Sequence, residues 1–160
     1  MLGKLKEHFY ETDAAALIMS EENISYFTSF HSSNGYLVVT KDKSYFLTDS
    51  RYIEAAQNKI KSCDEILLLK SMQTDLKALV DRLGIKELKL EGSRVTVARY
   101  NEIKDMLESV CVTCDGSLDK AINDIRIIKT REQVDKIIKA QRISEKAFEH
   151  ILRFIDDTKT

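Results

Sequence analysis

The 160-residue chain is long enough for one domain, or one domain with an appendage, and 43% apolar residues allow it a proper core. Twenty-five basic residues stand against twenty-six acidic ones with no one-sign cluster, which argues against a nucleic-acid surface or a polybasic membrane patch. The first ten residues lack an uninterrupted apolar segment, and three cysteines make an odd count, so a cytoplasmic protein with reduced thiols is expected.

Leu2 to Tyr10 reads as a short amphipathic helix. Ala14 to Met19 is an unbroken apolar run, the pattern of a strand buried on both faces. Ser20 is placed to cap the next helix, whose first turn holds Glu21 and Glu22 and whose end falls near Ser29. A polar stretch, His31 to Asn34, follows. Gly35 to Thr40 and Ser44 to Thr48 form two β-rich runs joined by Lys41, Asp42 and Lys43, a link that only antiparallel strands can use.

The spacing then predicts a helix over Arg51 to Ile60, a strand over Glu65 to Leu69 and a helix over Met72 to Leu83 closed by Gly84. A strand over Glu87 to Glu91, a helix over Val97 to Leu107 and a sixth strand over Val110 to Cys114 complete the alternation. Beyond Gly116 the pattern is helical: Ser117 to Ile128, then Arg131 to about Asp156, begun by a capping-box pair, Thr130 and Gln133. Val134, Ile137, Ile138, Phe148, Ile151, Leu152 and Ile155 make an apolar stripe along that last helix. The expected fold is an α/β domain with a mixed, about six-stranded sheet and helices on both faces, followed by a long helix.

Residue chemistry alone offers no active centre. Cys111 and Cys114 form a C-x-x-C, but three steps along a strand send side chains to opposite faces and separate the Cα atoms by roughly 10 Å. His8, His31 and His150 are scattered, without H-E-x-x-H, and no Gly-rich phosphate loop or G-x-S-x-G elbow is present. His31 alone lies in a polar loop, where a solvated residue and a functional one are both open.

Three segments in order carry a resemblance. Asn23-Ile24-Ser25-Tyr26-Phe27-Thr28-Ser29-Phe30, with His31 to Gly35 after it, resembles the N-x-x-Y-h-T-G-F helix and loop of creatinase-type amino-terminal domains. Thr48-Asp49-Ser50-Arg51-Tyr52 is similar to that family's T-D-G-R-Y at a strand-to-helix junction. Ile125-Arg126-Ile127-Ile128-Lys129-Thr130 with Glu132, then Ala140, Ala147 and Phe148, resembles its L-R-x-I-K-x-x-E linker and the helix that opens the catalytic domain. Ser29 and Ser50 replace the usual glycines, and Asp157-Thr158 replaces a frequent Pro-Gly.

The resemblance implies a ribonuclease H-like amino-terminal domain over residues 1–128, and over 129–160 a linker with the first helix of a catalytic domain. It implies a parent proline-specific metallopeptidase, either an Xaa-Pro aminopeptidase or a prolidase, acting on proline-containing peptides with two divalent ions (manganese, cobalt or zinc). All the metal ligands of that family lie in the carboxy-terminal domain, so no catalytic or metal residue transfers to any position here, and the chain alone is expected to be inactive. The implied partners are its own catalytic domain and a second subunit. His31, Ser32, Ser33 and Asn34 match the loop the family places near the partner subunit's active site. Asp49, Arg51 and Tyr52 fit a binding role or a structural one. A protein-binding module from a catalytically dead relative is the competing reading, although a net charge of −1 gives no strongly charged surface for it.

Overall fold

The structure is a computed structural model that describes residues 1–9 and 12–155. Two compact units divide at Ile125, and each is described by itself. Tyr10, the expected end of the first helix, Asp156, the expected end of the last, and the Asp157-Thr158 pair after it lie outside the described residues.

The first unit is built on one sheet. Strands β1 (Ala14–Ile18), β2 (Gly35–Val39), β3 (Ser44–Thr48), β4 (Glu65–Leu68), β5 (Glu87–Leu90) and β6 (Cys111–Thr113) lie in the order β4-β3-β2-β1-β5-β6. The β1–β2 and β2–β3 pairs are antiparallel; β3–β4, β1–β5 and β5–β6 are parallel. The expected mixed six-stranded sheet is therefore present.

Period-two alternation divides the strand side chains between two cores. From β1, Ala14, Ala16 and Ile18 enter one core while Ala15 and Leu17 enter the other. Phe46 of β3 joins the first, and Tyr45 and Leu47 join the second. All five β1 residues are buried, which is why the strand reads as an unbroken apolar run. The first core is covered by α1 (Leu2–Glu7), α2 (Glu21–Thr28), α3 (Ile53–Lys59) and α6 (Ser117–Ile127), through residues such as Leu5, Ile24, Phe27, Ala56 and Leu118. The second is covered by α4 (Lys77–Leu83) and α5 (Val97–Met106), through Leu79, Val80 and Ile103. Each fully buried large apolar side chain contributes about 1.5–3 kcal/mol.

Local chemistry moves two boundaries. The helix expected from Met72 opens as a π-helical turn, Met72–Leu76, before α4. There the Asp75 carboxylate accepts from the amides of Lys70 and Ser71, at 2.6 and 2.9 Å, and fixes the entry to the turn. The helix expected from Arg51 begins at Ile53, because the Asp49 carboxylate accepts from the Arg51 amide and its carbonyl from the amides of Tyr52 and Ile53. Ser29, at the usual glycine position, ends α2 in the left-handed region with φ 55°, the conformation that favours glycine there.

Asp64 ties three segments together. Its Oδ2 accepts from Lys6 Nζ of α1 at 2.7 Å, and from the amide and hydroxyl of Ser44 at 2.8 and 2.7 Å. Burial pushes this carboxyl up, but the Lys6 and Ser44 hydrogen bonds together outweigh it and hold the group down at about 2. A depressed carboxyl adds stability that is present above its unfolded value and disappears as the pH falls through the folded one. Asp64→Asn should therefore cost about 1 kcal/mol at pH 7, discounted for the partial exposure of the pair. That gap should close between the ordinary value of 3.8 and about 2, as read by urea unfolding across the pH range. A difference that persists unchanged in acid would mean the charge is not what matters.

The second unit, Arg126–Thr160, contains α7 (Arg131–Phe154). Thr130 Oγ1 accepts from the Gln133 amide while Gln133 Oε1 accepts from the Thr130 amide, the reciprocal cap expected of that pair. No residue of α7 is buried; Phe148 is 64% and Leu152 61% exposed. None of the described helices is long and apolar enough to cross a membrane.

Candidate functional site

The loop between α2 and β2 is held from below by aromatic rings. Phe30 is buried and meets Phe46 and Tyr52 edge-on, with ring centroids 6.0 and 6.4 Å apart. Gly35 closes the loop where no side chain fits: a Cβ there would lie 2.8 Å from the Phe46 ring and 2.8 Å from Ser32 Oγ. Ser32 is buried, and its hydroxyl has no hydrogen-bond partner among the described residues.

The two sequence-predicted groups meet here. Asn34 Nδ2 donates to Asp49 Oδ2 at 2.8 Å, and the Ser33 and Tyr52 hydroxyls lie 3.1 Å apart. The Thr48 hydroxyl donates to the Asn34 carbonyl at 2.6 Å. Arg51 grips the same carboxylate through Nε and Nη2, at 3.1 and 2.6 Å from Oδ2, and its guanidinium lies over the Tyr52 ring. Hydrogen bonds from Arg51, first, and Asn34 hold the Asp49 carboxyl well below the usual carboxylate range. Asp49 therefore stays ionised and locks the loop to the β3–α3 junction.

His31 stands apart from that lock. Its ring is exposed, with Nε2 3.2 Å from Ser25 Oγ, beside a surface depression lined by Glu21, Glu22, Ser25 and His31. The pair is a hydroxyl and an imidazole without a third orienting group among the described residues, so it lacks the arrangement that activates a serine.

A larger cleft, of about 430 Å³, opens next to the loop. It is lined by the start of α2, by Ser33 to Tyr36 and by Arg94, Val95, Thr96 and Arg99. Under its edge the fully buried carboxylate of Glu91 accepts four hydrogen bonds. The amides of Met19 and Ser20 donate at 2.7 and 2.9 Å, and the Ser20 hydroxyl and Asn23 Nδ2 donate at 2.6 Å each. Sequence reasoning missed Glu91, Arg94 and Arg99. The one available signal was a carboxylate directly after the alternating strand Leu88-Lys89-Leu90.

Among the described residues no three His, Cys, Asp or Glu side chains converge as metal ligands, so the two divalent ions implied by the resemblance find no donor set here. Cys111 is exposed and Cys114 half-buried, both as free thiols, and burial raises the Cys114 thiol above its ordinary value. Burial pushes the Cys63 thiol up to about 11, which leaves it unreactive at neutral pH.

Residues 3–128 match the Creatinase/Prolidase N-terminal domain. The chain belongs to this family. Among curated relatives, an uncharacterized peptidase of Bacillus subtilis, YqhT, is 30% identical over 139 residues, 87% of this chain and 38% of that protein. The solved Xaa-Pro dipeptidase from Bacillus anthracis superposes with a TM-score of 0.83 at 25% identity, covering 96% of this chain and 42% of that one. The X-Pro aminopeptidase from Thermotoga maritima gives 0.74 at 26% identity, covering 89% and 41%. The chain thus spans about two fifths of the length of the curated relatives it matches. Two of the three motifs fall within this Creatinase/Prolidase N-terminal domain, on α2 with its loop and on the β3–α3 junction, and the third runs from α6 past residue 128 into α7.

Proposed function

We propose that the chain serves as the non-catalytic amino-terminal domain of a metal-dependent Xaa-Pro peptidase, aminopeptidase or dipeptidase, that works as a homodimer in the cytoplasm. In this reading residues 129–160 are the linker and first helix of the catalytic domain, which carries two divalent ions and the reaction. The His31–Asn34 loop shapes the substrate site of the partner subunit. The observation that carries the reading is the loop itself. Asp49 holds Asn34, and Tyr52 meets Ser33, while the His31 imidazole is left in solvent at the edge. A loop locked at its base and carrying an exposed titratable ring suits contact with a substrate bound elsewhere.

The test uses the full-length enzyme. His31→Ala should lower kcat/KM for an Xaa-Pro peptide by about tenfold, the effect of one lost charged or hydrogen-bonding contact, with the melting temperature nearly unchanged. The 160-residue chain alone should not hydrolyse the same peptide with manganese, cobalt or zinc added. Unchanged kcat/KM would return His31 to the solvated surface, and metal-dependent turnover by the short chain that is lost on His31→Ala or His150→Ala would overturn the assignment.

A further inference from the structure

When two neighbouring parallel strands send their following helices to opposite faces of a sheet, a crevice opens beyond their carboxyl ends, and ligands of open α/β sheets settle there. β1 and β5 are such a pair. They run parallel, with Leu17 opposite Leu90; α2 after β1 packs into one core, and α5 after β5 packs into the other. The cleft of about 430 Å³ is that crevice, with Met19 to Glu22 following β1 and Arg94 to Thr96 and Arg99 following β5. Its volume lies within the roughly 300–1,000 Å³ of small-molecule sites.

The walls carry opposite charges. Glu21 and Glu22 stand on the α2 side, and Arg94 and Arg99 on the α5 side. Arg94 Nη1 lies 3.5 Å from Glu22 Oε1, with the two side chains 48% and 58% exposed, a loose pair that a ligand can part at little cost. Arg99 is held in place instead. Its Nη1 donates to Glu102 at 2.6 Å and its Nη2 to the Tyr36 hydroxyl at 3.0 Å, with the guanidinium over the Tyr36 ring. The amides of Met19 and Ser20 are already taken by Glu91, so recognition falls to these charged side chains and the Tyr36 hydroxyl.

We propose that this cleft binds a small zwitterion, a free amino acid or a short unblocked peptide, with its carboxylate toward Arg94 and Arg99 and its ammonium toward Glu21 and Glu22. A plain anion would meet the two glutamates, and a plain cation the two arginines; a ligand carrying both charges satisfies both walls. The inference stands on this chain's own cleft and does not depend on the peptidase reading.

The experiment is a titration of the isotopically labelled 160-residue protein, followed by amide NMR shifts. The probes are glycylglycine, N-acetylglycine and glycinamide. Glycylglycine should give saturable shifts at Ser20, Tyr36, Val95 and Thr96, and each single-charge probe should bind about tenfold more weakly, the worth of one charged contact. Arg94→Ala and Glu22→Gln, both at exposed positions that leave the core intact, should each weaken glycylglycine by about fivefold. Absence of saturable shifts with glycylglycine overturns the proposal, as does binding to either variant as tight as to the unchanged protein. N-acetylglycine binding as tightly as glycylglycine would make the cleft an anion site and overturn it equally.

Discussion

Glu91→Ala is expected to destabilise the protein by about 3–5 kcal/mol, because it removes the acceptor shared by several buried donors, each of which costs about 1–3 kcal/mol when left unpaired. The carboxylate is fully buried and accepts four hydrogen bonds that join the end of β5 to the start of α2. Alanine removes the common acceptor and leaves the amides of Met19 and Ser20 facing a void. Glu91→Gln keeps the shape but turns one acceptor into a donor that faces other donors, so it should recover only part of the loss. Urea unfolding with an unchanged m-value would report this as a change in native stability. A loss below about 1 kcal/mol for Glu91→Ala would show that water fills the site and satisfies the amides.

Phe46→Ala should cost a similar amount, about 3–5 kcal/mol, for a large buried ring deleted from a close-packed core. Phe46 is fully buried on the central part of β3. It also supports the loop: Phe30 packs on it edge-on, and the Gly35 backbone approaches its ring too closely for a side chain. Thermal unfolding should therefore fall in midpoint, and amide exchange at Ser32 to Asn34 should accelerate beyond that of β5, on the far side of β1. Uniform acceleration across the sheet would mean that the ring contributes bulk stability and no particular hold on the loop.

The strands were legible because a sheet covered on both faces writes itself as unbroken apolar runs. Ala14 to Met19 reads that way and holds β1, while Ser44 to Thr48 reads as one β-rich arm of a hairpin and is β3. Misread boundaries trace to single carboxylates: Asp49 delays α3, and Asp75 opens a π-helical turn ahead of α4. Such caps are local, yet they compete with helix propensity in a way that periodicity does not register. The loop residues and the Asp49 group were picked out separately through the resemblance, and their contact through Asn34 appears only in three dimensions. Glu91 and the two arginines were invisible for a plainer reason. Their partners lie far along the chain: the bond from Arg99 to Tyr36 spans 63 positions.

That distance has a consequence for the order in which the fold assembles. β2 and β3 form a hairpin and β1 joins β2 across the intervening α2, but the other edge of β1 has no partner until β5 arrives. The Glu91 bond to Met19 bridges 72 positions, so closing that half of the sheet carries the entropy of a long loop. During synthesis, an apolar strand destined for the centre of the sheet stays open on one side until residue 90 has emerged. In that interval β1 is an exposed edge rich in apolar side chains, open to pairing with the wrong neighbour.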